Sequence, residues 1–247
     1  MADDTVNALL VIADIGGYTR FMNLHRMSLA HAQENTLRLL DAVIDAAPDL
    51  ELSGLEGDAA FLYATDPSAS EITRSLAGLA TAMHRAFHHE QAHMEQLRVC
   101  WCDGCVQTGK LTVKIVAHYG EAVLSATRGH ATLTGVDVIL VHRMLKNSVP
   151  VIEYVLMTDP VAECLDESTR GLCKPLIHDF DGLGNTSTHY IDLATSEVTP
   201  LVPERGFFGR LSKTTKFELS TLPFLLGFKK PAEGFRNLGR GAEEIPA

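Results

Sequence analysis

Two aspartates sit in settings that suit metal and phosphate chemistry. Asp14 ends the apolar run Leu9-Leu10-Val11-Ile12-Ala13 and is followed by Ile15, Gly16, Gly17, Tyr18 and Thr19. The run reads as a buried strand. Asp14 therefore falls at the strand's far end, and a Gly-Gly turn leads into a helical pattern starting near Tyr18. Asp58 lies in Glu56-Gly57-Asp58, a tight turn between an alternating segment over 50–55 and an apolar run over 59–64. Carboxylates hold hard divalent cations, and a bare glycine turn lets backbone N–H groups approach an anion. Taken singly, either aspartate reads equally well as a turn cap. In a strand–helix–strand–strand unit, however, the first strand and the hairpin lie side by side. Both acids then reach one sheet edge, where Mg²⁺ or Mn²⁺ ions can clamp a triphosphate.

A second group is Cys100, Cys102 and Cys105, within six residues of a polar loop. Thiolates at that spacing can wrap a soft tetrahedral ion such as Zn²⁺, with His88, His89, His93 or the distant Cys173 as a fourth ligand. Three ordinary reduced cysteines, or a redox switch, fit the same spacing. His118, His31 and His142 read as hydrogen-bonded structural residues, because nothing pairs them with a nucleophile.

These groups need elements to hold them. Helical periodicity covers 18–27, and again from Ser28 to the breaker Pro48. One long helix is expected over 67–97, with Ile72, Leu76, Leu79, Ala80, Met83 and Phe87 as its buried stripe. Strands are expected over 111–117 and 122–126, turning at His118-Tyr119-Gly120-Glu121. A loop over 129–134, a helix over 136–145, a strand over 151–157 and a short helix over 160–165 follow. A hairpin around Gly182-Leu183-Gly184-Asn185 closes the series. The order predicts an α+β sandwich with helices on one face of a mostly antiparallel sheet.

The chain has 247 residues, 46% of them hydrophobic, with a net charge of −10. That charge argues against nucleic-acid binding. From Leu201 onward eight Lys/Arg stand against five Asp/Glu, so 13 of the 21 basic and 26 of the 31 acidic residues precede it. An acidic domain over 1–198 and a basic, aromatic extension over 199–247 are expected. The extension interleaves Phe207, Phe208, Phe217, Phe224, Phe228 and Phe235 with basic side chains. It suits either packing on its own domain or peripheral contact with a membrane surface or partner. No basic n-region precedes an apolar run, no stretch is long enough to span a bilayer, and five cysteines is an odd number. A cytoplasmic protein with reduced thiols is expected.

Four segments resemble one family. Ala13-Asp14-Ile15-Gly16-Gly17-Tyr18-Thr19 looks like the opening of class III nucleotide cyclase domains, and Gly57-Asp58-Ala59-Ala60-Phe61 like their hairpin. The segment from Val113 to Val123 resembles the strand that follows, and the segment from Gly135 to Met144 resembles a helix of theirs. All four keep the family's order across about 7–195, and the chain is most similar to a bacterial cyclase-like branch of that superfamily. The resemblance implies a ferredoxin-like βαββαβ cyclase-homology domain. It implies that Asp14, Asp58 and the Ile15 backbone hold two divalent ions. It also implies that Gly16, Gly17, Tyr18 and Thr19 cradle phosphates, that Arg143 steadies transition-state charge, and that Thr132 meets a base edge. Sites in that family form between two chains, so it implies a homodimer and a nucleoside triphosphate as ligand.

The chain departs from the family at two places. Ile139 stands where the ribose-orienting asparagine is usual, and Gly54 where a base-selecting lysine or glutamate is usual. Losing a ribose hydrogen bond costs on the order of 1–3 kcal/mol, or about ten- to a hundredfold in rate. Two readings follow. One is a metal-dependent nucleotide-binding protein able to cyclise its ligand to a 3′,5′-cyclic nucleotide. The other is a catalytically degenerate cyclase-homology module that dimerises or signals by contact.

Overall fold

In the computed structural model, residues 4–24, 29–96, 103–127, 130–194 and 228 are described. They fall into two compact units. The first comprises 1–16, 39–90 and 112–199, and the second 17–38, 91–111 and 200–247.

The first unit contains the whole sheet. Its strands are β1 (Asp4–Gly16), β2 (Glu51–Glu56), β3 (Ala59–Thr65), β4 (Thr112–Thr127), β5 (His130–Thr134), β6 (Tyr154–Thr158), β7 (Lys174–Phe180) and β8 (Gly184–Asp192). The order is β2-β3-β1-β4-β6-β8-β7, with β5 paired to β4. Every pairing is antiparallel except β4 with β6. The helices are α1 (Tyr18–Leu24), α2 (Leu29–Asp45), α3 (Ser68–Arg74), α4 (Leu76–Gln96), α5 (Asp103–Val106), α6 (Val136–Arg143), α7 (Asp159–Ala162) and α8 (Glu167–Arg170). The α+β class and the mostly antiparallel sheet are as expected. No helix of the described residues is long and apolar enough to cross a membrane.

β1 is an interior strand, between β3 and β4, and its sequence explains why. Ala8, Leu9, Leu10, Val11, Ile12 and Ala13 are all buried. Successive strand residues point to opposite faces, so an unbroken apolar run means cover on both. On one face Leu10 and Ile12 join Phe61 and Tyr63 of β3, Val116 of β4, Leu156 of β6, and Val138, Val141 and Met144 of α6.

Three local expectations are corrected. β4 is one strand of 16 residues that runs straight through the expected turn at 118–121. It does so because β1 is long enough to pair along most of its length, from Asp4 with Leu124 to Gly16 with Thr112. The expected loop over 129–134 contains β5, which pairs back on β4. The expected single helix over 67–97 is two helices that break at Ser75, whose hydroxyl donates to the Ile72 carbonyl. The closing hairpin forms as β7 and β8, with Gly182 and Gly184 at positive φ.

The second unit has its own polar ties. The Gln91 amide donates to the Thr108 carbonyl at 2.9 Å and the Leu111 carbonyl at 2.7 Å. Both carbonyls are thus satisfied by one buried side chain.

Candidate functional site

The sheet places Asp14 between two neighbours: Ala59 of β3 on one side and Lys114 of β4 on the other. Asp58 lies in the β2–β3 turn beside Gly57, whose φ of +66° suits glycine. The Ile15 N–H donates to the Asp58 carbonyl at 3.0 Å. The residue after the first acid is therefore hydrogen-bonded to the second acid itself. Burial pushes the Asp58 carboxyl up, and the negative Asp14 pushes it further, against the pull of its own backbone amide and of Lys114. Asp14 pairs with Ala59, the residue after Asp58, so the two acids stand at one edge of the sheet.

Lys114 completes the group. Its Nζ lies 3.0 Å from Asp14 Oδ2 and donates to the Leu145 carbonyl at 3.3 Å. Two acids against one lysine leave one net negative charge at the sheet edge. An oxygen-only donor set with surplus negative charge fits a hard divalent cation. Lys114 was not singled out from the sequence. The available signal was its place in a strand that must pair beside β1.

Gly16 closes β1 where a Cβ would meet Thr112 Oγ1 at 2.2 Å. A larger residue there would have to push the Thr112 hydroxyl aside. Gly17, Tyr18 and Thr19 belong to the second unit. Gly17 has φ +82°, and the Phe21 N–H donates to its carbonyl at 3.0 Å, opening α1. Tyr18 is half-buried and Thr19 exposed.

Other expected residues lie as follows. Arg143 ends α6, with its guanidinium 3.3 Å from Asp181 Oδ2 at the β7–β8 turn. Ile139, on the same helix, is 51% exposed. Thr132 is exposed on β5 opposite Ser125. Gly54 lies on β2 at a shift in register against β3. Cys100 and Cys102 lie outside the described residues. Cys105 is buried and accepts a hydrogen bond from the Asn35 amide at 3.8 Å. His88, named above as a candidate fourth zinc ligand, turns its Nε2 to Glu153 instead, at 2.8 Å. His118 is structural, as expected. Its Nδ1 lies 2.7 Å from Thr158 Oγ1 and its Nε2 3.3 Å from Asp137 Oδ1. The mid-strand Gly120 makes room for that Asp137 carboxylate, which also accepts from the Glu121 N–H at 2.7 Å.

Comparison with known proteins bears on the family and the fold. The family described as "Protein of unknown function (DUF2652)" matches residues 36–154. A Mycobacterium tuberculosis protein, "Uncharacterized protein Rv2561/Rv2562", is 51% identical over 210 residues, covering 85% of this chain and 98% of its own. Among solved structures, a bacterial light-regulated adenylyl cyclase is similar with a TM-score of 0.59 and 12% identity, over 78% of this chain. The chain spans about half, 54%, of that cyclase's length. The guanylyl cyclase Cya2 is similar with a TM-score of 0.59 and 13% identity, over 77% of this chain and 94% of its own. The adenylyl cyclase CyaB from P. aeruginosa is similar with a TM-score of 0.54 and 12% identity, over 78% and 97%. At such identities the likeness establishes the fold, that of class III nucleotide cyclase domains.

Proposed function

We propose, on the premise that this chain belongs to the family of the Mycobacterium tuberculosis protein Rv2561/Rv2562 and has the class III cyclase fold, that it binds a nucleoside triphosphate with divalent metal at Asp14 and Asp58. The observation that carries this reading is the placement of both acids at one sheet edge, where Asp14 pairs with Ala59, the Ile15 N–H donates to the Asp58 carbonyl and Lys114 supplies a single cation. A divalent ion bound there would neutralise phosphate charge and lower the pKa of an attacking oxygen. Asp14 and Asp58 supply carboxylate oxygens and Ile15 a backbone carbonyl. Gly16 keeps side chains away from the phosphates at the end of β1, and Gly17, Tyr18 and Thr19 follow it in sequence. Arg143 offers a cation for developing charge, and Thr132 a weak contact to a base edge. With Ile139 and Gly54 in place of polar readers, binding tolerates several bases and any cyclisation is slow.

Titration with Mn²⁺ and a fluorescent nucleoside triphosphate tests this. Wild type binds in a metal-dependent way, and Asp14→Asn or Asp58→Asn loses at least about tenfold in affinity. Metal-independent binding, or binding unchanged in both variants, overturns the reading. Product analysis after incubation with each triphosphate then reports whether a cyclic nucleotide forms.

A second reading, a module that acts by dimerising, is favoured by one observation. Leu52 and Leu55 on β2 and Val136 and Ile139 on α6 are large apolar residues left exposed. Both readings allow a homodimer, so sedimentation of the full chain is combined with product analysis: a dimer that neither binds nor turns over nucleotide is the contact module.

A further inference from the structure

A second polar cluster lies away from the two acids and takes no part in the reading above. His84 and His88 are four residues apart on α4, so both project from one face of the helix. That face meets Glu153, the residue just before β6. His84 Nε2 lies 3.1 Å from Glu153 Oε2, and His88 Nε2 lies 2.8 Å from Glu153 Oε1. One carboxylate thus has an imidazole on each oxygen. The three ligand atoms, one from each residue, lie within 4.8 Å of one another.

From this geometry we infer that His84, His88 and Glu153 form a binding site for a borderline transition-metal ion of the Zn²⁺ or Co²⁺ class. The chemistry of the donors favours such an ion, since imidazole nitrogen with one carboxylate oxygen suits it better than Mg²⁺ or Ca²⁺. The dimensions agree as well. Bonds of about 2.0–2.2 Å place tetrahedral ligand atoms about 3.3 Å apart, within the 4.8 Å that encloses one ligand atom from each of the three residues. Burial supports a held ion rather than a passing one: side-chain exposure is 2% for His84, 11% for Glu153 and 21% for His88. The exposed side at His88 gives the ion a way in and a place for a water ligand. The carboxylate is also pre-oriented, because Glu153 Oε1 accepts from the Val113 N–H at 3.1 Å.

His84 sets the strength. Its Nδ1 is buried with no hydrogen-bond partner. Well-supported metal histidines donate that N–H to a carboxylate or carbonyl, and losing such a partner typically costs about 10–100-fold in affinity. The site therefore binds that much more weakly than a fully supported two-histidine, one-carboxylate centre. Tyr154 packs on the face of Leu10 and Ile12, which Asp14 continues along β1, so Glu153, one residue earlier, falls to the other face. The metal would thus tie α4 to the side of the sheet away from Asp14.

The test uses the full-length chain, stripped with chelator and dialysed, with Co²⁺ and Zn²⁺ as probes. In excess Mg²⁺, which fills the acid pair, expected are one equivalent of Co²⁺, visible d–d absorption without thiolate charge-transfer bands, and a thermal midpoint that Zn²⁺ raises further. His88→Gln should lose at least about tenfold in Co²⁺ affinity, while Glu167→Gln, on the exposed helix α8, leaves the d–d spectrum unchanged. Because His88 is partly exposed, His88→Gln tests the site even where His84→Gln fails to fold, and far-UV circular dichroism reports which has occurred. Absence of Co²⁺ binding overturns the inference. So do thiolate bands that vanish in Cys100→Ser, and a spectrum that survives His88→Gln. The inference fails independently of the Mn²⁺–nucleotide titration, which reads other residues.

Discussion

Two carboxylate clusters serve the same sheet under opposite electrostatic regimes. At the β1 edge, Asp58 is pushed up by burial and by the negative Asp14, and Lys114 supplies the single compensating charge. At the start of β6, burial also pushes Glu153 up. There, however, hydrogen bonds from His84 and His88, the charge on His88 and the Val113 N–H together outweigh it, and the carboxyl falls to about 2. The residue chemistry is similar and the sign is reversed. A carboxylate surrounded by donors is a stabilising anchor, whereas two carboxylates facing each other are held at a cost that a bound cation relieves. The Glu153 carboxylate finds donors within the chain itself, whereas the acid pair keeps a surplus negative charge with only Lys114 against it.

The largest expected effect breaks the anchored cluster. Glu153→Ala removes the partner of two histidines and a backbone amide, and should lower stability by about 3–5 kcal/mol, read from the urea midpoint. A loss under about 1 kcal/mol would mean that Glu153 does not hold α4 to the sheet.

The next effect concerns competition at the acid pair. Lys114→Met removes the ammonium that sits on Asp14 and should raise apparent Mn²⁺ affinity by roughly tenfold, seen by calorimetric titration. Weaker Mn²⁺ binding in that variant would show that Lys114 supports the site rather than competing for it.

Asp58→Asn then tests the repulsion itself. The folded-state pKa of Asp58 is raised, so the native state holds that proton more tightly than the unfolded chain. Its contribution to stability is fully present below the ordinary carboxylate range and is lost as pH rises through the raised folded value. At neutral pH the asparagine variant should therefore melt higher than wild type, with the gap closing in acid. An unchanged or lower melting temperature would place the two carboxylates out of each other's field.

The smallest effect is at Arg143. Its pairing with Asp181 is solvent-exposed, so Arg143→Ala should change stability by less than about 0.5 kcal/mol. Any drop in cyclic-nucleotide formation beyond that would then belong to chemistry and not to folding.

Sequence alone determined the parts whose signals are local. The apolar run 9–13 fixed β1 as a doubly covered strand, and the Gly-Gly and Gly-Asp turns fixed where Asp14 and Asp58 fall along the chain. Their approach was legible because a hairpin returning beside β1 leaves little choice of edge. What the tertiary structure decided depends on partners far apart in sequence. Nothing near Gly120 announces that β4 continues, because the hydrogen bonds that carry it through come from β1. The spacing of His84 and His88 was readable as one helix face, yet Glu153 lies 65 residues beyond His88 and reaches it only when β6 docks beside β4. Lys114 likewise became a counter-ion through strand register, which propensity does not encode. Local periodicity sets which face a side chain takes, and only the packed sheet sets which charges must share that face.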